Sequence, residues 1–278
     1  MKGTVALVAA LVLTACGPDA AAPIDTSTWS IAAADAASGD VGVAAASCVP
    51  AFGDGLAVLV PGRGAGVTQA LFELSNRNIV YGAIRGGLPA EAVVAVVIDP
   101  STEADLDNRQ YGAVTIARGA TRAAVYTSPS REGPAVRDGL AQWGGARVSA
   151  PLGVAVQGNI LVGPDVVAAA FAAFARDEAD GRNTLPDRLM RALEAGSAAG
   201  GDARCNDATT RQTALTAFIL AARGGDPPYA AADIGVSDQG TDAAPRLAIS
   251  VWNERGGENP VPELRRRYDA WRDAQPER

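Results

Sequence analysis

The run Ser27-Thr28-Trp29-Ser30 sets three hydroxyls within four residues, just ahead of the apolar stretch Ile31-Ala32-Ala33-Ala34. A serine or threonine becomes a useful nucleophile only when a base takes its proton. The usual bases are missing, because the 278 residues contain no histidine and one lysine, Lys2. A Ser-His-Asp or Cys-His site, a Walker lysine, a Schiff base and a His-ligated zinc are therefore excluded from the body of the chain. Each hydroxyl is either a polar strand residue or a nucleophile activated by some other group.

Other polar residues could share that chemistry. In the stretch Ala155-Val156-Gln157-Gly158-Asn159, two amide side chains fall between a strand and the start of a helix. Amides and free backbone N–H groups in such a position can hold a developing oxyanion. Gln157 and Asn159 could equally satisfy a turn. After a glycine helix stop, Asp202 and Arg204 form either a substrate-orienting pair or a surface ion pair. The cluster Gly62-Arg63-Gly64-Ala65-Gly66 fails the dinucleotide fingerprint, since its third glycine would fall at Val67, and lacks the P-loop lysine, so it reads as a tight turn before a helix. Glu103, Asp105 and Asp107 read as a solvated loop, and no spacing recommends a metal or glycosidase site. No metal or cofactor is expected. With a net charge of -7 and no basic run interleaved with aromatics, nucleic acid is excluded as a partner.

At 48% hydrophobic and 20% charged residues the chain can bury a substantial core. Residues 28–35 and 41–48 read as a hairpin, 67–75 as a helix, and 89–98 as a second helix begun by Pro89 and stopped by Asp99-Pro100. Strands are expected at 111–117, 122–127 and 153–157. Pro164 opens a helix with Val166, Val167, Ala170, Phe171 and Phe174 on one stripe, and 185–195 makes its partner. Residues 213–222 and 246–252 read as buried strands and 263–272 as a terminal helix. This order gives an α+β fold with helical layers covering antiparallel sheets, and lacks the strict alternation of a doubly wound sheet.

Met1-Lys2-Gly3, an apolar stretch over 4–15 and the small-residue junction Ala15-Cys16 form an export signal, too short to span a bilayer. Leu13-Thr14-Ala15-Cys16 resembles a bacterial lipobox, which implies a signal peptide over 1–15 and a membrane anchor through lipid on Cys16. Gly17 after that cysteine points to the outer membrane, facing the periplasm, if the host has one. Residues 16–27 then make a flexible tether to a domain over 28–278. Lipid consumes one of the three cysteines. Cys48 and Cys205 remain to pair as a disulfide in an oxidising compartment, closing a loop worth about 4 to 5 kcal/mol. The rival role for Cys48, a nucleophile, has no histidine or lysine to lower its pKa.

Several of these stretches together resemble the Ntn-hydrolase-like family labelled domain of unknown function 1028. They are Thr28-Trp29-Ser30-Ile31, Val41-Gly42-Val43-Ala44-Ala45-Ala46-Ser47, Gly66-Val67-Thr68-Gln69-Ala70, Arg109-Gln110-Tyr111-Gly112, Ala155-Val156-Gln157-Gly158-Asn159 and Ala199-Gly200-Gly201-Asp202. Pro262-Glu263-Leu264-Arg265 is similar to the family's closing helix. The resemblance implies a four-layer αββα sandwich and amide hydrolysis by an N-terminal nucleophile whose own α-amine is the base. On that reading Thr28 or Ser30 attacks, while Gln157 and Asn159 hold the oxyanion. Ser47, Thr68, Gln69 and Gln110 line the pocket, and Asp202 with Arg204 orients a small or peptide-like amide. Two departures stand out. Ala46-Ser47 occupies a position where an Asp-Ser pair would be expected, and residues 205–211 look like an insertion. Thr28 needs a free amine, which requires cleavage of the Ser27-Thr28 bond. The alternative is a non-catalytic lipoprotein that binds a ligand or partner on the same scaffold, and a homo-oligomer is left open.

Overall fold

A computed structural model describes residues 24–26, 28–49, 54–206, 209–227, 229–230 and 245–275. The expected signal peptide, Cys16 and residues 17–23 lie outside the described residues. Two antiparallel sheets are built from strands whose alternate residues face different cores. The first sheet holds β4 (Ala57–Val60), β5 (Gly64–Phe72), β6 (Arg109–Ala117) and β7 (Ala120–Thr127), with β12 (Tyr229–Ala230) beside β4 and β1 (Ile24–Thr26) beside β5. In the second, β2 (Thr28–Ala34) and β3 (Val41–Ser47) are central. β10 (Val154–Leu161), β9 (Leu140–Ser149) and β8 (Gly133–Arg137) continue it on one side, and β11 (Thr216–Ala222) and β13 (Leu247–Trp252) on the other.

Period-two alternation sorts the side chains of β2: Ala32 and Ala34 enter a core between the sheets with Val43, Ala45, Leu59, Val67, Val114 and Phe218, whereas Trp29, Ile31 and Ala33 face away from it. Those outward residues pack against α3 (Asp165–Ala175), α4 (Leu185–Ala198) and α5 (Pro260–Asp273). On the first sheet, α1 (Leu74–Arg85) and α2 (Ala90–Val97) cover a third core that includes Val58, Val60, Tyr111 and Ala113. Thr184 caps α4 by accepting the Asp187 N–H, and Asn259 caps α5 through Val261. Gly42 on β3 lets α4 approach, since a Cβ there would stand 2.5 Å from Leu189 Cδ1. The result is a mixed α+β fold of two sheets and, among the described residues, five helices.

Several expectations need correction. Residues 67–75, read as a helix, belong mainly to β5, whose two buried faces conceal the alternation of a strand. The Gly62 turn therefore precedes a strand. Helix α1 follows it, and its buried face includes Asn76 and Arg77, which weakens the apolar stripe. Within the segment expected to be a tether, Ile24–Thr26 pairs with residues 70–72 of β5. Among the described residues no helix is long and apolar enough to cross a membrane.

Candidate functional site

At one end of the core between the sheets, aliphatic side chains give way to hydroxyls and carboxamides. Thr28 and Ser30 lie on the same face of β2 as Ala32 and Ala34. Ser47 pairs with Thr28, Gln157 pairs with Ser30, and Asn159 follows the last regular pair, Gly158 with Trp29. From the opposite sheet come Gln69 on β5 and Gln110 on β6, which are register partners. Thr28, Ser30, Gln110, Gln157 and Asn159 are 0% exposed.

These groups form a directed hydrogen-bond chain. Gln110 Nε2 donates to the Gly158 carbonyl at 3.0 Å and to Thr127 Oγ1 at 2.9 Å, which fixes the orientation of its amide. Its Oε1 must then accept, and does so from Gln69 Nε2 at 2.7 Å and Asn159 Nδ2 at 2.8 Å. Gln69 Nε2 also donates to the Thr28 carbonyl at 3.2 Å, while its Oε1 receives the Ser30 hydroxyl at 2.5 Å. Ser30 Oγ in turn accepts from Gln157 Nε2 at 2.6 Å, and the Ser30 carbonyl accepts from the same nitrogen at 3.3 Å. The Ser30 proton is thus committed to an amide oxygen, which is no base. Both amide hydrogens of Gln157 are spent, whereas one on Asn159 has no acceptor among the described residues. Asn159 Oδ1 and Gln157 Oε1 are buried without a partner, a condition that costs about 1–3 kcal/mol per group and therefore calls for an explanation.

Backbone strain borders the same end. β10 carries a register shift between Gly158 and Leu161, and Ile160 within it has φ 52°. Ala70, next to Gln69 and opposite Thr26, has φ 77°. Positive φ is costly for a residue with a Cβ, most of all a β-branched one.

The remaining predicted residues fall differently. Thr68 points to the other face of β5 from Gln69, level with Tyr111 beneath α1, so it is not brought to the site. Asp202 is fully buried, which corrects the surface ion-pair alternative. Its carboxylate accepts the Cys48 and Arg204 N–H groups at 3.0 Å, and Arg204 Nε at 3.0 Å and Nη2 at 2.7 Å. Four donors saturate the two oxygens, so Asp202 joins the end of β3 to the segment carrying Cys205. Cys48 and Cys205 form a disulfide. Glu103 is also buried, contrary to the solvated-loop expectation. It anchors Arg109, Tyr111 and Asn76 on the face of β6 opposite Gln110. Among the described residues no cluster of three or more His, Cys, Asp or Glu side chains could hold a metal ion.

Sequence reasoning missed Thr127 and Gly112. A Cβ on Gly112 would stand 2.2 Å from Gln157 Oε1, so only glycine admits that side chain. Gly112→Ala is expected to displace Gln157 from Ser30 and to destabilise the protein by about 1–3 kcal/mol. Thermal denaturation of Gly112→Ala beside Gly112→Ala/Gln157→Ala checks this, because removal of the colliding amide should recover part of the loss.

Two antiparallel sheets with a buried hydroxyl-and-carboxamide end between them define the class as mixed α+β. The chain belongs to the DUF1028 family, a family of unknown function, which matches residues 28–244. The crystal structure of protein SPO2555 from Silicibacter pomeroyi, itself described as DUF1028, is similar at a TM-score of 0.62 and 22% identity, over 88% of this chain and 89% of that one. No curated protein matches the sequence.

Proposed function

We propose that this chain is an N-terminal-nucleophile amide hydrolase on a four-layer αββα scaffold, exported as a lipoprotein, with Thr28 as its nucleophile. The observation that carries the reading is the polar end of the inter-sheet core, with Thr28 buried at the first position of β2, where the family match also begins. A protein without histidine needs another base, and a free α-amine, titrating near 7.7–8.0, can serve. Cleavage of Ser27-Thr28 would supply it. The Thr28 hydroxyl oxygen then attacks the amide carbonyl carbon while the α-amine takes the hydroxyl proton. That proton passes to the leaving nitrogen as the C–N bond breaks, leaving an ester on Thr28. Water, deprotonated by the same amine, cleaves the ester and restores the hydroxyl. The uncommitted hydrogen of Asn159 is the side-chain donor for the oxyanion, and Ser30 with Gln69, Gln110 and Gln157 holds the end of β2 in place. Ser47 lines the substrate space beside Thr28, and Asp202 with Arg204 braces its wall.

Strand β1 favours a second reading. It joins Thr28 through Ser27 and is paired with β5, so an uncut chain would keep the Thr28 nitrogen in a peptide bond and the domain tied to lipid on Cys16. Such a protein would bind a ligand or partner at the cell envelope without catalysis.

Intact mass and N-terminal sequencing of the mature protein from a host that processes lipoproteins separate the two. A terminus at Thr28 is expected. Thr28→Ala should lower amide hydrolysis by at least about a thousandfold, as loss of a nucleophile does, whereas Ser30→Ala should retain the Thr28 terminus. An acylated Cys16 followed by an uncut tether would remove the amine-assisted mechanism and leave the binding reading.

A further inference from the structure

The far end of the second sheet carries a cavity of about 310 Å³. Thr216 on β11 lies level with Ser47 and Thr28, whereas Ala221 and Ala222, which line the cavity, pair with Gly42 and Val41. Five to six strand residues separate the two ends, roughly 16–20 Å, so the cavity is distinct from the Thr28 site. Its floor is apolar, formed by Leu185 at the start of α4, Leu247 at the start of β13, and the rings of Tyr268 and Trp271 on α5.

Four arginines, Arg182, Arg223, Arg246 and Arg272, line this cavity, and Arg182 has the Asp180 carboxylate beside it at 3.7 Å. Its two carboxylates are already engaged. Asp187 accepts the Tyr268 hydroxyl at 2.7 Å and the Thr184 hydroxyl at 2.5 Å, and Asp40 accepts the Gly224 N–H at 3.3 Å. Arg272 is neutralised by Asp269 and Asp273, each at 2.9 Å. Arg246 lies over the Trp271 ring, 5.6 Å from its centroid, and its Nη2 donates to Gln275 Oε1 at 2.8 Å, so its charge is held against the apolar floor. Arg223 is exposed, and its guanidinium has no partner among the described residues.

We propose that this cavity binds a small amphipathic anion, a carboxylate carried on an aromatic or short acyl body. The body would lie against Leu185, Leu247, Tyr268 and Trp271, and the carboxylate would meet Arg223 and Arg246. The volume sits at the lower end of small-ligand sites, about 300–1,000 Å³, and the pairing of an apolar lining with a few placed charges is what such sites require. A planar guanidinium fork is suited to a carboxylate.

Calorimetric titration of the full chain with phenylacetate, octanoate and neutral phenylacetamide tests the assignment. Saturable binding of phenylacetate or octanoate is expected, weakened at least about tenfold in Arg223→Gln and in Arg246→Gln, and unchanged in Thr28→Ala. Arg223 is exposed, so its variant keeps the fold. The proposal is overturned if neither anion binds saturably, if phenylacetamide binds as tightly as phenylacetate, or if both arginine variants bind as the parent does. Loss of binding in Thr28→Ala would move the ligand to the Thr28 site and equally overturn it.

Discussion

Replacing Cys48 and Cys205 together by alanine is expected to lower stability by about 5 kcal/mol, because their bridge closes a loop with a sequence separation of 157. A domain is commonly stable by about 5–15 kcal/mol, so the loss would be a large share of the total. Each kcal/mol moves the melting temperature of a domain of this size by about 2–4 °C, which puts the shift at roughly 10–20 °C. The effect should also reach the candidate site. Cys48 directly follows Ser47, the partner of Thr28, and its N–H is held by Asp202, three residues before Cys205. The bridge and Leu215 form a small buried cluster of their own, so alanine removes packing as well as the covalent link. Denaturant unfolding of the oxidised, reduced and doubly substituted proteins measures the loss. A difference below about 1 kcal/mol would contradict the loop-closure account.

The sequence was most legible where one physical signal dominated. The Pro164 start of α3 and the stop at Asp99-Pro100 each follow from a proline with restricted backbone choices, and the hairpin of β2 and β3 from a turn whose Gly39 takes φ 77°. The expected strands at 111–117 and 122–127 are joined by a turn of the same kind, with φ 53° at Arg118 and 75° at Gly119. The hairpin of β8 and β9 was missed although Asp138-Gly139, both at positive φ, supplies the same signal, because its strands are half-exposed and mix glycine with charge. β5 was misread for the opposite reason: buried on both faces, it lacks the alternation that betrays a strand.

The site was legible as a set of residue types and illegible as a network. Spacing on one strand shows that Thr28 shares a face with Ser30, and Gln157 with Asn159. It cannot show that Gln69 and Gln110 descend from the opposite sheet and fix the direction of every amide. That direction commits the Ser30 proton to Gln69, and it separates Gln157, whose donors are spent, from Asn159. Thr68 was misassigned for a related reason, since a one-residue step along β5 moves a side chain to the other face.

Glu103 illustrates the larger surprise, a carboxylate taken for a surface group that lies beneath the site. Arg109 Nε donates to it at 2.7 Å, the Asp105 N–H at 2.7 Å and the Tyr111 hydroxyl at 3.2 Å, and Asn76 donates as well. Burial opposes ionisation of Glu103, yet the Arg109, Asp105 and Asn76 hydrogen bonds and the Arg109 charge together outweigh it and hold the carboxyl below its ordinary value. Because the folded value is the lower one, this pair contributes stability above the unfolded pKa of about 4.3 and loses it as pH falls through the folded value. Glu103→Ala is expected to cost about 3–5 kcal/mol, since among the described residues it leaves the buried Arg109 with only the largely exposed Glu73 as its carboxylate partner at 2.6 Å. Arg109 and Tyr111 flank Gln110 on β6, so the same substitution should loosen the carboxamide chain on the opposite face. Arg109→Met gives the sharper test, because it reverses the sign of the pH dependence. Glu103 would remain buried without its cation, desolvation would raise its pKa, and stability would fall as pH rises above about 4.3. Denaturant midpoints of the parent and Arg109→Met from pH 3 to 7 should therefore slope in opposite directions, and parallel slopes would mean that Arg109 does not set the charge state of Glu103.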